Sequence, residues 1–446
     1  MTGRNNTGQA SESLSRRDVL GALGAAGAVS VAGCGVLDGD DDEGESTEQA
    51  ETVTIGISIP REGRWQDEGE QLHDGYLLAA EHINDASGLV TAGDGYEPPF
   101  AESGEGLLGQ TVELDVRDTG STEDGARSSA EALVSEDVVM FAGGGSAGEG
   151  MGHQAVASEA ETVYMGGFTP TNQVGGEACS GYGFNEIHNS RMAADALGAV
   201  VSEALGGETD IAFAQLYPDN DIGNEMASVV QSRFETVGWT QNVTDSTRVG
   251  ARSYSGVIAD VLETGPDMLV LNYTGLAGAS ALRDLHDVVG EEDELTVLVP
   301  MMNRELLRSA RAGLEGVFGT VPWTPALNDP FSEQFLEHWE STETEMDVPS
   351  GLSHLAYVQL YQYGAAVERA GTFEPAEVIA ELEGSEYDVG LGAAEMRACD
   401  HQSTRQVPVV RGLPEPQQEP GSYTELVDLV DASYPCEESP AADCEL

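Results

Sequence analysis

The sequence contains no lysine: its 19 basic residues are all arginine, against 79 acidic ones, for a formal net charge of -60. That absence removes several chemistries at once. No Schiff base can form on a lysine amine, and no Walker A loop can be completed. No basic footprint exists to neutralise phosphates, which argues against nucleic acid as a partner. So one-sided a charge repels itself in dilute buffer. At molar salt the Debye length falls to about 3 Å and the repulsion is screened. The acidity therefore speaks of a halophilic solvent rather than of a cationic partner.

The N-terminal apolar stretch is too short to span a membrane. It runs from Val19 to Ala32, below the about 20 residues a span requires. It follows the twin-arginine pattern Ser15-Arg16-Arg17-Asp18-Val19-Leu20 and ends in Val31-Ala32-Gly33-Cys34, which resembles a lipobox. Residues 1–33 are therefore expected to be a signal peptide that exports a folded chain, with a lipid placed on Cys34. One acyl chain binds a membrane only marginally, so a stable tether needs more than one. Residues 34–51 are dominated by Asp and Glu and have little to bury, so they read as a disordered acidic tether. The fold is expected to begin near Thr52.

Cysteine is scarce too, at 5. With Cys34 set aside, Cys179, Cys399, Cys436 and Cys444 form an even set in an exported chain, which favours disulfides. Cys436 and Cys444 lie close in a Pro-rich tail, pointing to a local loop and leaving Cys179 with Cys399; four free thiols are the alternative. The histidines form no metal set, since His73 and His82 fall on opposite faces of one predicted helix. No metal and no cofactor are expected.

From Thr52 onward, β-branched alternating strands take turns with helical periodicity. Strands are predicted at Val53–Ile59, Thr111–Val116, Val138–Ala142 and Thr162–Met165, with helices at Gly69–Ala86, at Thr122–Ser135 (Ser121 as its N-cap) and up to Ala160. A second series starts near Asn189. Its helices are Met192–Leu205, Gly223–Val237, Ser255–Glu263 and Leu276–Val289, and its strands are Asp210–Gln215, Met268–Asn272 and Leu295–Val299. Helices Pro330–Thr342 and Leu352–Ala370 follow. The tail beyond Pro414 reads as weakly structured, apart from a strand or helix around Tyr423–Val430. Alternation of this kind means parallel sheets with covered faces, here an α/β chain of two similar halves.

The stretch Asp137–Gly150 carries two short patterns at once. Gly143, Gly145 and Gly148 spell GxGxxG; Gly144, Ser146 and Gly148 spell GxSxG. The first wants the opening strand of a domain and an acid about 20 residues on, but here it follows a third strand and no acid ends the next. The second wants a carboxylate and a histidine later in the chain. Asp400-His401 are adjacent, and adjacent residues on a strand point apart. An exported hydrolase using Ser146 and a twin-arginine-exported oxidoreductase stay as rivals. A third reading requires no chemistry: a glycine loop opening a helix exposes backbone N–H groups to a carboxylate. A purely structural turn is the fourth.

Several stretches together resemble a known family. They are Ile55-Gly-Ile-Ser-Ile-Pro60 with Gly69 and Gly75-Tyr-Leu-Leu-Ala-Ala-Glu-His-Ile-Asn84, then Val112-Glu-Leu-Asp-Val-Arg-Asp118, Phe141–Ser146, Asp219-Asn-Asp-Ile-Gly223 and Arg397-Ala-Cys-Asp-His-Gln402. In this order they are similar to the substrate-binding proteins of branched-chain amino acid-type ABC transporters, with the type I periplasmic-binding fold, here as a haloarchaeal-like lipoprotein. The resemblance implies two doubly wound parallel-sheet lobes joined by a three-crossover hinge near Ile187, Val321 and Arg397. Lobe 1 would be 52–187 plus 322–396; lobe 2, with the tail, 188–321 plus 397–446. Cys179 and Cys399 would then both lie near the hinge.

It also implies a receptor without enzymatic activity, binding a small polar solute (amino acid, amide, urea or related carboxylate) between the lobes. The partners would be ABC permease subunits, and the location the outer face of the cell membrane, through the lipid on Cys34. A ligand sensor of the same fold is the alternative within the family. The ligand contacts implied are Trp65, Ser146 with its neighbour Ala147, Phe168, Thr169, Thr171, Asp221, Tyr273 and Asn303. Ile222 stands where the family has an aromatic, and Met302-Asn303 where amino-acid binders often carry an acid.

Overall fold

The computed structural model describes residues 51–85, 106–176, 178–289, 295–342, 344 and 346–440. The signal peptide 1–33, Cys34, the tether as far as residue 50, and Cys444 lie outside the described residues.

The first series runs β1 (Thr52–Ile59), α1 (Gln66–Asp85), β2 (Thr111–Asp118), α2 (Glu123–Val134), β3 (Phe141–Gly143), α3 (Ala147–Ala160), β4 (Tyr164–Gly166), α4 (Asn172–Gly175) and β5 (Gly183–Asn185). Its strands form a parallel sheet in the order β2-β1-β3-β4-β5. The second series runs α5 (Ser190–Ala204), β6 (Ala212–Pro218), α6 (Asp221–Val237), β7 (Thr240–Thr247), α7 (Ser255–Leu262), β8 (Met268–Leu271), α8 (Gly275–Val289), β9 (Thr296–Val299), α9 (Arg304–Ala310) and β10 (Phe318–Thr320). Then come α10 (Pro330–Ser341), α11 (Gly351–Ala370), α12 (Pro375–Leu382), β11 (Glu386–Asp388), β12 (Ala393–Met396), β13 (Ser403–Thr404), β14 (Gln406–Gly412) and β15 (Thr424–Asp431). The second sheet is ordered β15-β14-β10-β9-β8-β6-β7. Within it β7-β6-β8-β9-β10 repeats, in parallel, the order of the first sheet. A repeat that sequence comparison within the chain does not show is thus present in the topology.

Each sheet has its own core. The first is filled from Val53 to Ile187 and again from Trp323 to Met396; the second from Met192 to Val321 and from Val407 to Tyr434. β1 lies between β2 and β3 and is covered on both faces: Ser58 on one face and Ile55, Ile57 and Ile59 on the other are each fully buried. Burying such a side chain contributes about 1.5–3 kcal/mol. Helix α11 covers one face of that sheet. Its Tyr357, Tyr361 and Tyr363 are buried, and α1 crosses it at Gly75, where a Cβ would stand 2.2 Å from the Ser353 carbonyl oxygen.

The chain crosses between the sheets beside a buried polar cluster. Tyr387 donates to Glu186 Oε2 at 2.6 Å, and its hydroxyl also lies 2.6 Å from Ser403 Oγ. Burial pushes the Glu186 carboxyl above its ordinary range, while the Arg405 guanidinium works in the opposite direction. Gln402 Nε2 donates to the Asn185 and Ile187 carbonyls, so the Arg397–Gln402 motif clasps the first crossing.

Three expectations are corrected. Thr122, not Ser121, caps α2, accepting from Gly125 N; Ser121 sits at φ +59 and instead fixes the loop before α1. The tail is more ordered than expected: the segment left open as strand or helix is β15, which pairs along β14, and Tyr434 beyond it accepts from Asn189 Nδ2. The disulfide is Cys399–Cys436, so neither a Cys179–Cys399 bridge nor a Cys436–Cys444 loop forms; Cys179 is disulfide-bonded too. The reason is the docked tail. Tyr434 lies between the Arg191 and Arg397 guanidiniums, at 4.5 and 4.4 Å, and Ser439 Oγ donates to Asp400 Oδ2 at 2.7 Å. These contacts carry Cys436 to Cys399.

Candidate functional site

In an open parallel sheet, ligands bind outside the carboxyl ends of the strands, where the strand order reverses. The first sheet reverses between β1 and β3, and the second between β6 and β8. The loops at those ends meet around one cavity of about 130 Å³. Arg64 and Trp65 reach it from the loop after β1 and Pro170 from the loop after β4. Ile222, Arg248, Asn272 and Met301 reach it from the loops after β6, β7, β8 and β9.

Trp65 is held by its backbone N–H, which donates to Ser121 Oγ at 3.0 Å, and the Arg64 guanidinium lies 4.7 Å from its ring centre. Across the cavity, Tyr273 and Tyr254 pack edge to face at 5.0 Å. The Tyr273 hydroxyl shares a 2.9 Å hydrogen bond with Thr247 Oγ1, while burial pushes its pKa well up. The result is an aromatic-walled space lined by two arginines and by no Asp or Glu.

The glycine loop is built for backbone geometry. Gly143 and Gly144 adopt φ +130 and +93, and a Cβ on Gly143 would lie 2.1 Å from the Ser58 carbonyl oxygen. Its groups are satisfied internally: Gly144 N donates to Ser58 O, while Gly143 O and Gly144 O accept from Gly167 N and Phe168 N. A further donor, Gly145 N, is taken by the chain itself. Glu149 Oε2 accepts from Gly145 N at 3.0 Å and from Thr119 Oγ1 at 2.9 Å, and Ser146 Oγ lies 3.3 Å from Glu149 Oε1. Burial pushes the Glu149 carboxyl above its ordinary range, against these hydrogen bonds. A solute carboxylate at this loop would meet another carboxyl already seated there.

Neither short pattern finds its chemistry around that loop. Ser146 acts as the N-cap of α3. His153, on the same helix, is fully buried and bonded to Ser58 Oγ at 2.7 Å and to the Tyr164 hydroxyl at 3.3 Å. Burial lowers its pKa to about 3, so it is a neutral packing residue. Of the N–H groups a dinucleotide would need, those of Gly144, Gly145 and Glu149 are engaged by the chain itself.

The remaining expected contacts divide. Of the predicted set, Trp65 and Tyr273 line the cavity. Phe168 and Asn303 line a separate space of about 150 Å³ beside Trp323 and Ser350. Ala147 and Thr169 are buried. Thr171 donates to Glu225 Oε2 at 2.7 Å, linking loops from the two sheets. Asp221 is exposed beside Glu225, and Ile222 faces the cavity instead. Asn303 caps α9 through Oδ1, which also accepts from Gly275 N, and its Nδ2 donates to Glu68 Oε1 at 2.6 Å. Glu68 is fully buried on α1, and desolvation raises its pKa from 4.5 to about 8, with Asp67 and Glu305 adding repulsion. Arg304 pairs with Asp67 at 2.9 Å beside it.

Arg64, Arg248, Asn272 and Tyr254 were not among the expected contacts. Arg248 follows β7, a polar, half-exposed strand whose sequence TQNVTDST gives little alternation, so no strand end marked the residue. Arg64 adjoins Trp65 and was legible only as its neighbour. Among the described residues, no group of three or more His, Cys, Asp or Glu is placed to hold a metal, and no helix is long and apolar enough to cross a membrane.

Comparison with known proteins gives a consistent likeness. The family described as periplasmic binding protein matches residues 52–414. No curated protein matches the sequence. An amino acid ABC transporter substrate-binding protein from Pseudomonas fluorescens Pf-5 superposes with a TM-score of 0.77 at 17% identity, over 88% of this chain and 99% of that one. A branched chain amino acid ABC transporter periplasmic ligand-binding protein from Burkholderia xenovorans LB400 gives 0.75 at 18%, over 88% and 99%. A solute binding protein from R. palustris in complex with benzoate gives 0.67 at 13%, over 85% and 96%. At these identities the structural likeness establishes the fold.

Proposed function

The chain belongs to the periplasmic binding protein family, and from that premise we propose that it is the solute-binding receptor of an ABC importer. It holds a small solute between its two lobes and hands it to permease subunits. Residues 52–187 with 322–396 would form one lobe, and 188–321 with the segment from 397 onward the other. The observation that carries this reading is the cavity at the carboxyl ends of strands from both sheets. Beside it, segments that follow strands of the two sheets are joined by Asn303–Glu68, Arg304–Asp67 and Thr171–Glu225. A solute touching both sets of loops stabilises the joined arrangement by its differential affinity, the condition for ligand-driven hinge closure. Trp65 and Tyr273 are the contacts retained from the sequence reading. Export by the twin-arginine route and a lipid on Cys34 complete the proposal and place the receptor on the outer face of the membrane.

Thermal unfolding of the full chain in molar salt, against amino acids, amides, urea and small carboxylates, tests it. A ligand at 100 times its dissociation constant adds about 2.7 kcal/mol of stability. A shift with one solute class is expected. Covalent labelling of Ser146 by a serine-hydrolase probe, or a shift with a dinucleotide alone, would overturn the reading.

A further inference from the structure

The lining of the cavity, taken with the receptor reading on which this inference rests, narrows the solute class. Arginine is scarce here, and carboxylates surround it. Arg117, Arg127, Arg191, Arg233 and Arg304 each hold one. Among the described residues Arg64 and Arg248 hold none, as Arg252, Arg283 and Arg311 hold none, but these two line the same cavity, one from the β1 loop and one from the β7 loop. In a chain with 79 acidic residues, a cavity with two unpaired guanidiniums and no lining carboxylate is the exception. It has no carboxylate to pair with an ammonium group, which would also sit beside two positive charges.

A third group has a vacant acceptor. Asn272 Nδ2 donates to Gln215 Oε1 at 2.9 Å. The orientation of both amides is fixed by Gln215 Nε2, which donates to Ala227 O and to Gln241 Oε1. Asn272 Oδ1 is left buried and without a partner, on a residue that lines the cavity. A buried acceptor left unpaired costs about 1–3 kcal/mol, which a donor on the solute would offset. Size sets the last constraint. A cavity of about 150 Å³ takes one benzene ring, and this one is of about 130 Å³ with Trp65, Tyr254 and Tyr273 as walls.

We propose that the solute is a small carboxylate without an ammonium group, its carboxylate held between Arg64 and Arg248 and a hydroxyl on its ring-sized body donating to Asn272. Both arginines are exposed at the rim, so long-range attraction is lost in molar salt. Direct charge-assisted hydrogen bonds at contact distance are not. Because one arginine comes from each set of loops, the carboxylate itself draws the two sets together. The glycine loop, where Glu149 is already seated, plays no part in holding it.

The test is calorimetric titration of the full chain in molar salt with 4-hydroxybenzoate, 3-hydroxybenzoate, benzoate, 4-hydroxybenzamide and leucine. A hydroxybenzoate is expected to bind, at least about tenfold tighter than benzoate or the amide, with leucine silent. Arg64→Gln and Arg248→Gln should each weaken it by about tenfold or more, and Asn272→Ala should erase its advantage over benzoate. Arg252→Gln, the same charge change outside the cavity lining, should leave it unchanged. Binding of leucine or the amide as tight as the acids, or acid binding that survives both arginine substitutions, overturns the proposal. So does silence from all the acids; the receptor reading falls only if the wider panel of amino acids, amides and urea is silent as well.

Discussion

Replacing Glu68 by glutamine should remove about 4 kcal/mol of the pH dependence of stability between about pH 5 and 9. Glu68 lies fully buried on α1, accepting from Asn303 Nδ2 through one oxygen while the other has no partner. Burial, with Asp67 and Glu305 nearby, raises its pKa from 4.5 to about 8. The sign follows from proton binding. The folded protein holds this proton more tightly than the unfolded chain does. Stability is therefore fully present below the ordinary value, is lost as pH rises from there, and levels off above the folded value. At 1.36 kcal/mol per pH unit, the loss between pH 5 and 9 is about 4 kcal/mol. Glutamine keeps an acceptor for Asn303 and carries no proton to lose. The assay is urea unfolding of both proteins in molar salt at several pH values. The difference between them isolates Glu68, because Glu149, Glu186 and Glu225, also raised by burial, contribute equally to each. Parallel stability curves for the two proteins would refute the reasoning, as would a variant less stable than the native chain at pH 9.

Other outcomes follow from single contacts. Cys399→Ser, which opens the Cys399–Cys436 bridge over a separation of 37 residues, should lower stability by about 2–4 kcal/mol, and an unchanged melting temperature would show that the docked tail stands without it. Gly143→Ala places a side chain at φ +130 and a Cβ 2.1 Å from a carbonyl oxygen; a loss of at least about 2 kcal/mol is expected by chemical unfolding. Glu149→Ala leaves Gly145 N and Thr119 Oγ1 without their acceptor and should cost about 1–3 kcal/mol. Added formate should recover part of that loss in the variant but not in the native protein; no recovery would mean that the loop cannot take a carboxylate from outside.

Much of the architecture was legible because its signal is local. Val53–Ile59, Met268–Asn272 and the long amphipathic helices carry their own periodicity, and each forms within a residue or a few of the expected bounds. What was missed is decided by partners far along the chain. β15 reads as an acidic, half-exposed segment left open between strand and helix, and β14 decides it by offering a ladder. β7 is an edge strand whose polar residues face solvent on one side. The disulfide pairing was out of reach because sequence distance favoured Cys436 with Cys444. The actual bridge is set by Tyr434 seating between two arginines. At the site, the resemblance named Trp65 and Tyr273 as ligand contacts, and both line the cavity. It could not show that Asn303 is spent on capping α9, or that Glu149 turns back into the glycine loop.

The contacts that join the two sets of loops are chosen so that none of them is strong. Arg304–Asp67 is part-exposed and in molar salt contributes at most about 1 kcal/mol. Asn303–Glu68 and Thr171–Glu225 each hide a carboxyl whose pKa burial has raised, so each hydrogen bond is gained at the cost of desolvation. For Glu68 that cost grows as pH rises toward and past its raised pKa of about 8, where the carboxyl gives up its proton. An empty receptor with this balance has little reason to stay closed. A solute that supplies about 3 kcal/mol more to the closed form than to the open one shifts the population by more than a hundredfold. The difference between open and closed then rests on the ligand, and Glu68→Gln, by cheapening closure, should raise apparent solute affinity most at alkaline pH. Titration of both proteins at about pH 6 and 9 decides it: an affinity ratio that does not change with pH would separate Glu68 from closure altogether.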